Sequence, residues 1–438
     1  MSTVFRERIH SFHNDLIIIA STGNSQTRSG KAQATCGEYH GVADSHDYHT
    51  DTKIAHLGRP RRSARGVVNV PVQRASTVLF SSLAELERAQ GRKYEPSELY
   101  YGTMGTQTTH AFEEAMAALD GGHAAVGVSS GLAACTSAIL AFVRHGDHVL
   151  VTDSVYDPTR AFCDGMLASL GVETTYYDPT IGAGVAELIR PNTKVIFLES
   201  PGSHTFEIQD VPAICAVARA RRVVTVIDNT WATPLYFRPL DHGVDVAVYA
   251  ATKYMSGHSD VLIGAIVADK AHYQKVRAVT TALGHSLSPD DAYLTLRGLR
   301  TMGVRLERQE RGAIELARWL EAHPDVARVL HPALESHPQH TLWKRDFQGA
   351  AGLFAFVLPP ARHEALAALF DNLQLFGMGY SWGGFESLIL PGVPSEKRTV
   401  ARWDATQGSL IRVSVGLENI ADLQDDLAAA LQRWKANL

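Results

Sequence analysis

The chain has 438 residues, too many for a single hydrophobic core, and this length predicts two domains with an additional arm. With 45% hydrophobic residues, 20% charged residues and a net charge of -5, the composition is that of a globular protein, and it excludes a nucleic-acid partner because no basic block stands out. No apolar stretch approaches the roughly 20 residues that span a bilayer, so no membrane partner is expected.

The first 47 residues differ in composition from the rest of the chain. They are rich in Ser, Thr, Gly and His and show little periodicity, which predicts a flexible extension over residues 1–47 without a catalytic role. Their apolar run "LIIIA" is too short for the core of a signal peptide. The four cysteines, Cys36, Cys135, Cys163 and Cys215, lack metal-ligand spacing. We therefore expect a cytoplasmic protein with reduced cysteines and no metal site.

Apolar strands alternate with helical stretches from about residue 123. The strands read "HAAVGVSS", "DHVLVTD", "TKVIFLES", "VVTVID" and "VDVAVYAATK". Near-continuous apolar strands joined through helices are typical of a parallel sheet covered on both faces. The pattern predicts a large α/β domain over residues 106–299, in which ligands collect at the carboxyl ends of the strands.

The pattern changes after residue 300. A charged helical run, "RLERQERGAIELARWLEA", precedes the strands "AGLFAFVLP" and "SLIRVSVG", and an amphipathic helix, "IADLQDDLAAALQRWKA", comes last. This order predicts a smaller α+β domain over residues 300–438.

A carboxylate and an amine are expected at the same edge of the large sheet. The strand "VVTVID" ends in Asp228, and the next apolar run, "VDVAVYAATK", ends in Lys253. A pyridoxal phosphate enzyme needs both groups there, because the lysine bonds to the aldehyde of the cofactor and the aspartate keeps the ring nitrogen protonated. A structural Asp–Lys ion pair explains the same spacing equally well.

A strand-to-helix turn, "VGVSSGLAA", is a candidate phosphate site. Ser129, Ser130 and Gly131 would present hydroxyls and free backbone N–H groups to an anion at the start of a helix. A serine that caps the start of a helix would give the same sequence, and for this motif considered alone that is the better explanation. Thr252, beside Lys253, would add a hydroxyl to the same phosphate.

Two further side chains stand at positions that suit a ligand. Tyr156 follows a strand, where its ring would stack on a flat cofactor, although a tyrosine in a turn is more often a surface or packing residue. Arg412 lies among apolar residues of "SLIRVSVG" and must find an anion, either an internal carboxylate or the carboxylate of an amino-acid substrate.

Several segments together resemble a known family. The motifs "VIDNTWATP", "AATKYMSGHSD", "ESPGS" and "IRVSVGLENIADL" are similar to those of the Cys/Met-metabolism family of pyridoxal phosphate enzymes, which have fold type I, the aspartate-aminotransferase-like fold. The resemblance runs from about Asp51 to the C-terminus. Within the family, "YSWGGFESLILP" looks like the cystathionine β-lyase branch, because γ-synthases and γ-lyases usually show Leu where Trp382 stands.

The resemblance implies a role for each candidate residue. Lys253 bonds to pyridoxal 5'-phosphate, Asp228 pairs with the ring nitrogen, and Tyr156 stacks on the ring and handles the proton of the incoming amine. The implied phosphate and substrate contacts are Ser130, Gly131, Leu132, Thr252 and Tyr101 for the phosphate, and Arg412, Ser381, Trp382 and Tyr380 for the substrate. Tyr101 would reach the phosphate of a neighbouring subunit from an arm over residues 48–105, which implies a homotetramer built from active dimers.

Two departures from the family pattern affect the phosphate. The family commonly has an arginine where Thr103 stands, and a charged phosphate contact of this kind contributes about 1.5–3 kcal/mol. Many members also carry a serine where Ala250 stands. The sequence therefore predicts weaker retention of the cofactor, unless another arginine replaces the missing one.

The implied reaction is a β-elimination that converts cystathionine to homocysteine, pyruvate and ammonia. A γ-lyase or γ-synthase of the same family would use the same lysine, aspartate and arginine, and only the segment around Trp382 argues against it. A binding or regulatory protein that keeps the fold, with Lys253 and Asp228 as a simple ion pair, is the rival from another class.

Overall fold

The computed structural model describes residues 48–59, 67–394 and 398–438, so the extension predicted over residues 1–47 lies outside the described residues. The described residues belong to one compact unit. Among the described helices, none combines the length and the apolar character that crossing a bilayer requires.

The larger of two sheets is built by the part of the chain in which strands and helices were predicted to alternate. Its strands β1 to β7 are Ala124–Val128, His148–Thr152, Glu173–Tyr177, Thr193–Glu199, Val224–Asp228, Val246–Tyr249 and Gly264–Ala268. Their order across the sheet is β1-β7-β6-β5-β4-β2-β3. The predicted α/β architecture is confirmed.

One strand of this sheet runs against the others. β7 lies between β1 and β6 and pairs with both in antiparallel orientation, whereas the other pairs are parallel. The sequence did not predict β3 or β7. β3 is partly exposed, with the polar sequence "ETTYY", so it lacks the continuous apolar pattern of a buried strand. β7 follows β6 through residues 250–263, which contain no helix to carry the chain across the sheet, and this suits an antiparallel neighbour.

The strands of the large sheet alternate between two cores, as a period of two requires. Leu150, Ile196 and Ile227 point into one core, and the neighbouring Val149, Val195 and Val226 point into the other. Both faces are therefore covered, which explains why the central strands are apolar throughout.

Helices cover both faces of the sheet and build the rest of the small domain. Helices α1 to α13 are Thr50–His56, Leu83–Arg92, Gln107–Asp120, Gly131–Leu140, Asp157–Phe162, Val211–Arg221, Thr233–Tyr236, Tyr273–Ala282, Pro289–Leu299, Met302–Glu321, His340–Asp346, His363–Phe370 and Ile420–Ala436. Residues of α4 and α8 belong to one core of the large sheet, whereas residues of α3, α6 and α9 belong to the other.

The second sheet is smaller and antiparallel. Its strands β8 to β11 are Arg328–Leu330, Leu353–Leu358, Leu388–Gly392 and Ser409–Ser414, in the order β10-β11-β9-β8. It shares a third core with α10, α12 and α13. The Trp231 indole N–H donates to the carbonyl of Leu353, 2.8 Å away, and so ties the two sheets together. The boundaries predicted at residues 105 and 299 stay a prediction.

Candidate active site

Lys253 lies beyond its strand rather than at the end of it. β6 ends at Tyr249, and Lys253 follows in a tight turn in which its N–H donates to the carbonyl of Ala250, 3.0 Å away. The sequence analysis placed Lys253 at the end of the strand, because the small and apolar residues continue through "AAT" into the turn. The turn directs the side chain across to the small domain, where Nζ donates to Ser381 Oγ at 2.8 Å.

The amine of Lys253 is less basic than that of an ordinary lysine. Burial, followed by the positive charge of Arg412, lowers its pKa to about 8, and the nearby Asp228 only partly opposes this. Nζ also lies 5.2 Å from the centroid of the Trp382 ring. A lysine in this condition has a substantial neutral fraction near neutral pH, which a nucleophile or a base needs.

Asp228 ends β5, as predicted. Oδ1 accepts hydrogen bonds from the N–H of Thr230 at 2.9 Å and from its hydroxyl at 2.5 Å, and Oδ2 accepts from the Cys135 thiol at 3.7 Å. Since Lys253 and Asp228 each have other partners, the rival interpretation of a simple ion pair between them loses its support. Burial raises the pKa of Asp228, so the carboxylate suits a cationic ligand.

Glu199 is a neighbour of Asp228 that the sequence analysis missed. It ends β4 and lies opposite Asp228 in the register of β4 and β5. Burial, reinforced by the charge of Asp228, raises its pKa well above the usual range, while the N–H of Tyr156 donates to Oε2 at 2.7 Å. The signal was present, because "VIFLE" closes an apolar strand with a carboxylate just as "VVTVID" does.

The start of α4 approaches the turn of Lys253 very closely. A Cβ atom at Gly131 would lie 2.4 Å from the Cβ of Ala250, so only glycine fits there. The first backbone N–H groups of a helix have no partner within it, which leaves those of Gly131 and Leu132 for an anion. This is the helix start that "VGVSSGLAA" predicted.

Two of the three hydroxyls predicted to help at this helix start, those of Ser130 and Thr252, have other partners, and Ser129 is exposed. Ser130 caps α4, since its Oγ accepts from the N–H of Ala133 at 3.1 Å, as the simpler explanation required. Thr252 Oγ1 accepts from the N–H of Ile263 at 2.9 Å and lies 3.2 Å from its carbonyl. The backbone N–H groups are therefore the freest donors at this place.

Tyr156 immediately precedes α5 and is 44% exposed. Burial of its hydroxyl, with the charge of Asp228 as the next cause, raises the pKa of Tyr156 above its usual value. The phenol is therefore protonated at neutral pH. Tyr156 is near enough to Asp228 to feel its charge, so a flat ligand bound there would meet both.

The small domain contributes Arg412 from β11. Its Nη2 donates to the carbonyl of Ser381 at 3.2 Å, and within the described residues no carboxylate forms an ion pair with it. Burial lowers its pKa, whereas the nearby hydroxyls of Tyr156 and Tyr380 oppose that shift. The internal carboxylate that the sequence left open is thus not found, and the guanidinium is available to an external anion.

Ser381 joins the lysine to the arginine. Its backbone has φ of 89°, a left-handed conformation that is uncommon outside glycine. In this conformation its hydroxyl accepts from Lys253 while its carbonyl accepts from Arg412. The neighbouring Trp382 packs on Tyr254, with 5.3 Å between ring centroids, and Tyr380 is 90% exposed.

Tyr101 and Thr103 lie apart from these residues, in the exposed segment before α3. Tyr101 is 46% exposed, and Thr103 is exposed as well. Thr103 borders a small cavity together with the buried Arg277, but this guanidinium donates to Glu113 at 2.8 Å and to the carbonyl of Met104 at 2.5 Å. Arg277 is therefore committed and does not replace the arginine that the family pattern lacks here.

Comparisons with known proteins agree with this geometry. The family model described as "Cys/Met metabolism PLP-dependent enzyme" matches residues 51–432. A protein of Rhizobium johnstonii, provisionally named as a cystathionine β-lyase, is 53% identical over 86% of this chain and 94% of its own length. The cystathionine β-lyase of Salmonella typhimurium is 44% identical over 88% of this chain and 99% of its own length.

A solved structure extends the similarity to the fold. The cystathionine γ-synthase of Xanthomonas oryzae pv. oryzae, solved in complex with aminoacrylate and cysteine, matches with a TM-score of 0.81 and 31% identity, covering 90% of this chain and 100% of that chain. The large sheet, the small domain and the strand-end residues therefore form a fold type I architecture, and the chain belongs to the Cys/Met metabolism family of pyridoxal-phosphate-dependent enzymes.

Proposed function

We propose that this protein is a cystathionine β-lyase, which uses water to convert cystathionine to homocysteine, pyruvate and ammonia. The observation that carries the proposal is the connection of Lys253 to Arg412 through Ser381. This connection supports a base beside the group that would bind the α-carboxylate, from which the base would reach the proton on the adjacent carbon. The similarity to β-lyases over most of the chain selects this reaction among those that begin in this way.

The residues present fit pyridoxal 5'-phosphate. Its phosphate fits the free N–H groups at the start of α4, where the approach of Gly131 to Ala250 leaves no room for a side chain. Its ring nitrogen fits Asp228. Burial raises the pKa of this carboxyl group, and a protonated ring nitrogen beside it would stabilise the charged carboxylate. Its aldehyde fits the amine of Lys253, and its ring face fits Tyr156. When bound, the cofactor supplies an acceptor for the electron pair that remains when the α-proton leaves.

With the cofactor bound, the residues of the site would divide the reaction among them. Arg412 binds the α-carboxylate of the substrate by a charge-assisted pair. The neutral amine of Lys253, oriented by Ser381 Oγ, accepts the α-proton. The bond from the β-carbon to sulfur breaks with its electrons on sulfur, and the protonated Lys253 would donate its proton to that thiolate. Tyr156, whose pKa is raised by burial, would pack against the ring and handle the proton of the incoming amine.

The decisive experiment is to incubate the purified protein with cystathionine and identify the keto acid. Pyruvate supports the proposal. Release of 2-oxobutyrate would instead identify a γ-lyase, and the similarity to a solved γ-synthase makes γ-chemistry the second candidate. Protein that binds the cofactor but releases neither keto acid would favour the binding or regulatory rival.

A homotetramer of active dimers is part of the proposal. It is supported by the exposure of Tyr101, which is 46% exposed and so would be able to contact a neighbouring subunit. We expect Tyr101→Asp, which brings a negative charge to the phosphate, and Lys253→Ala to be inactive separately. Mixed dimers would each contain one intact site, so reassociated mixtures should regain roughly a quarter of the sites. No recovery after confirmed subunit exchange would exclude a shared site.

Substrate range and location in the cell stay predictions. Cystine and other cysteine S-conjugates carry the same leaving sulfur on the β-carbon, so we expect them to release pyruvate as well. Comparing kcat/KM among these substrates would identify the preferred one. Fractionation of cells that produce the protein would test the cytoplasmic location.

A further inference from the structure

The connection between β10 and β11 leaves the small sheet and contacts the large domain. Residues 398–401 of this connection, here called the strap, lie against the carboxyl ends of β2 and β4. Arg398 and Asp153, which anchor it, are both buried. Two buried charged groups at one contact, Arg398 in the connection and Asp153 in the large domain, are costly unless their partners are well placed, so the contact is a specific one.

Asp153 binds the strap through its backbone. Its carboxylate accepts from the N–H groups of Thr399, Val400 and Ala401 at 3.0, 2.9 and 2.8 Å, and from the Thr399 hydroxyl at 3.0 Å. Arg160 adds a hydrogen bond of 2.5 Å. Burial by itself would raise the pKa of Asp153, but the hydrogen bonds from the strap outweigh it and the pKa is lowered. The carboxylate is thus charged and almost completely saturated with donors.

Arg398 anchors the other end of the strap to the loop after β4. Its guanidinium pairs with Glu207 at 3.2 Å and donates to the carbonyl of Ser203 at 3.1 Å and to the hydroxyl of Thr205. The N–H of Ser203 in turn donates to the carbonyl of Ser154 at 2.8 Å. The two anchors therefore converge on one short piece of the large domain, residues 153–154.

Only Val155 separates this piece from Tyr156. Tyr156 is held from the other side by Glu199, which accepts from its N–H. Beyond its far end, residues 402–408 connect the strap to β11, which carries Arg412. The Tyr156 hydroxyl lies near enough to Arg412 to influence the pKa of the guanidinium. The strap thus links the turn that bears Tyr156 to the strand that bears Arg412.

We propose that the strap fixes the separation between Tyr156 and Arg412, and that Asp153 and Arg398 are positioning residues for the reaction. The proposal rests on the proposed function for the roles of Tyr156 and Arg412. Neither anchor touches the reacting atoms. Each acts by keeping the turn that bears Tyr156 at the distance from Arg412 that the substrate requires.

Asp153→Asn in the holoenzyme tests the proposal. The amide places donors against the N–H groups of Val400 and Ala401, so the strap should open more often. We expect amide hydrogen exchange in residues 153–157 and 399–401 to be about tenfold faster. We also expect the visible circular dichroism of the bound cofactor, which reports the orientation of its ring against Tyr156, to fall by about half, and KM for cystathionine to rise about tenfold with less change in kcat.

Arg398→Met provides the second variant and the coupling test. It should reproduce the effects on the dichroism and on KM, and the double variant should be no worse than either single one, because both open the same strap. Thr399→Val removes one side-chain hydrogen bond but keeps all three backbone donors, and Asp325→Asn breaks the pair with Lys435 on the surface. Both controls should behave as the unaltered protein does.

The outcomes separate this proposal from the proposed function. Faster exchange with unchanged dichroism and unchanged KM would show a purely structural contact and would overturn the proposal. Additive effects of Asp153→Asn and Arg398→Met would also contradict it. If the unaltered protein releases no pyruvate, the proposed function fails, but exchange and dichroism still decide whether the strap holds the turn of Tyr156, since neither requires lyase activity.

Discussion

The carboxyl edge of the large sheet holds its functional side chains with internal partners, whereas the arm before α3 leaves several of its large apolar side chains exposed. At the sheet edge, Asp228 is fixed by Thr230 and Cys135, and Lys253 is fixed by Ser381. In the arm, Leu79 and Leu83 are 89% and 70% exposed, and Tyr101 is 46% exposed.

The difference separates what one chain can organise from what it leaves open. A side chain with several internal donors is oriented before any ligand arrives, which lowers the cost of binding. An exposed apolar arm gains little from its own chain, and exposed patches of this kind are typical of surfaces that meet another protein. We therefore expect changes at the sheet edge to alter the chemistry and changes in the arm to alter retention of the cofactor.

The largest effect of a change at the sheet edge is expected from Lys253→Ala. Removing the amine removes the base, so pyruvate release should fall by about a thousandfold or more while the cofactor stays bound. Lys435→Ala, which removes an exposed lysine paired with Asp325, is the matched control and should retain activity. A Lys253→Ala protein with even a tenth of the original turnover would show that the base lies elsewhere.

A smaller effect is expected at the wall of the pocket that the small domain provides. Arg412→Met removes the proposed carboxylate contact, and we expect kcat/KM for cystathionine to fall about 30-fold, mainly through KM, as for loss of a charge-assisted hydrogen bond. Arg362→Met, at an exposed arginine that contacts the C-terminus, should change little. An unchanged KM would mean that another group binds the substrate carboxylate.

The lowered pKa of Lys253 predicts how pH controls assembly of the site. Only the neutral amine can bond to the cofactor aldehyde, so the rate of cofactor uptake by cofactor-free protein should rise about tenfold from pH 7 to pH 9. The midpoint is expected at about 8, the pKa to which burial and Arg412 lower this amine. Arg412→Met should move the midpoint upward, and a midpoint near the usual lysine value would contradict the structure.

The same pKa shift has a consequence for stability. Between a pH of about 8 and the ordinary lysine pKa of 10.5, the unfolded chain holds a proton on Lys253 that the folded chain has released. The cofactor-free protein should therefore gain stability as pH rises through this window. Denaturant unfolding of Lys253→Ala and of the unaltered protein across the window would isolate this contribution.

The smallest effect is expected in the arm. Thr103→Arg restores the cation that the family commonly has there, and we expect the Kd for pyridoxal phosphate to fall about fivefold, the gain typical of a partly exposed ion pair. Thr341→Arg, at an exposed position on α11, adds the same charge away from the arm and should leave the Kd unchanged. Equal effects of the two variants would show a general charge effect and would weaken the proposed reach of the arm to a phosphate.

Some of the site was visible in the sequence because the signals are local. A strand that ends in a carboxylate, as β5 does at Asp228, shows where the sheet edge lies, and glycine after "VSS" marks the start of α4. The same rule applied to "VIFLE" would have found Glu199. Cys135 gave no such signal, because a cysteine inside an apolar helix looks like a packing residue, and only the fold brings it to Asp228.

By itself, the sequence determined the alternation of strands and helices, the change of this pattern after residue 300, and the residue types of the site. These features depend on side-chain periodicity and turn chemistry, which act between residues close together in the chain. Tertiary structure alone decided the antiparallel β7, the turn that carries Lys253 past its strand, and the pairing of groups distant in the chain. Ser381 is 128 residues from Lys253, and Thr399 is 246 residues from Asp153. Such contacts depend on how the two sheets pack, and the burial of Lys253 and Asp228 that shifts their pKa values arises only from that packing.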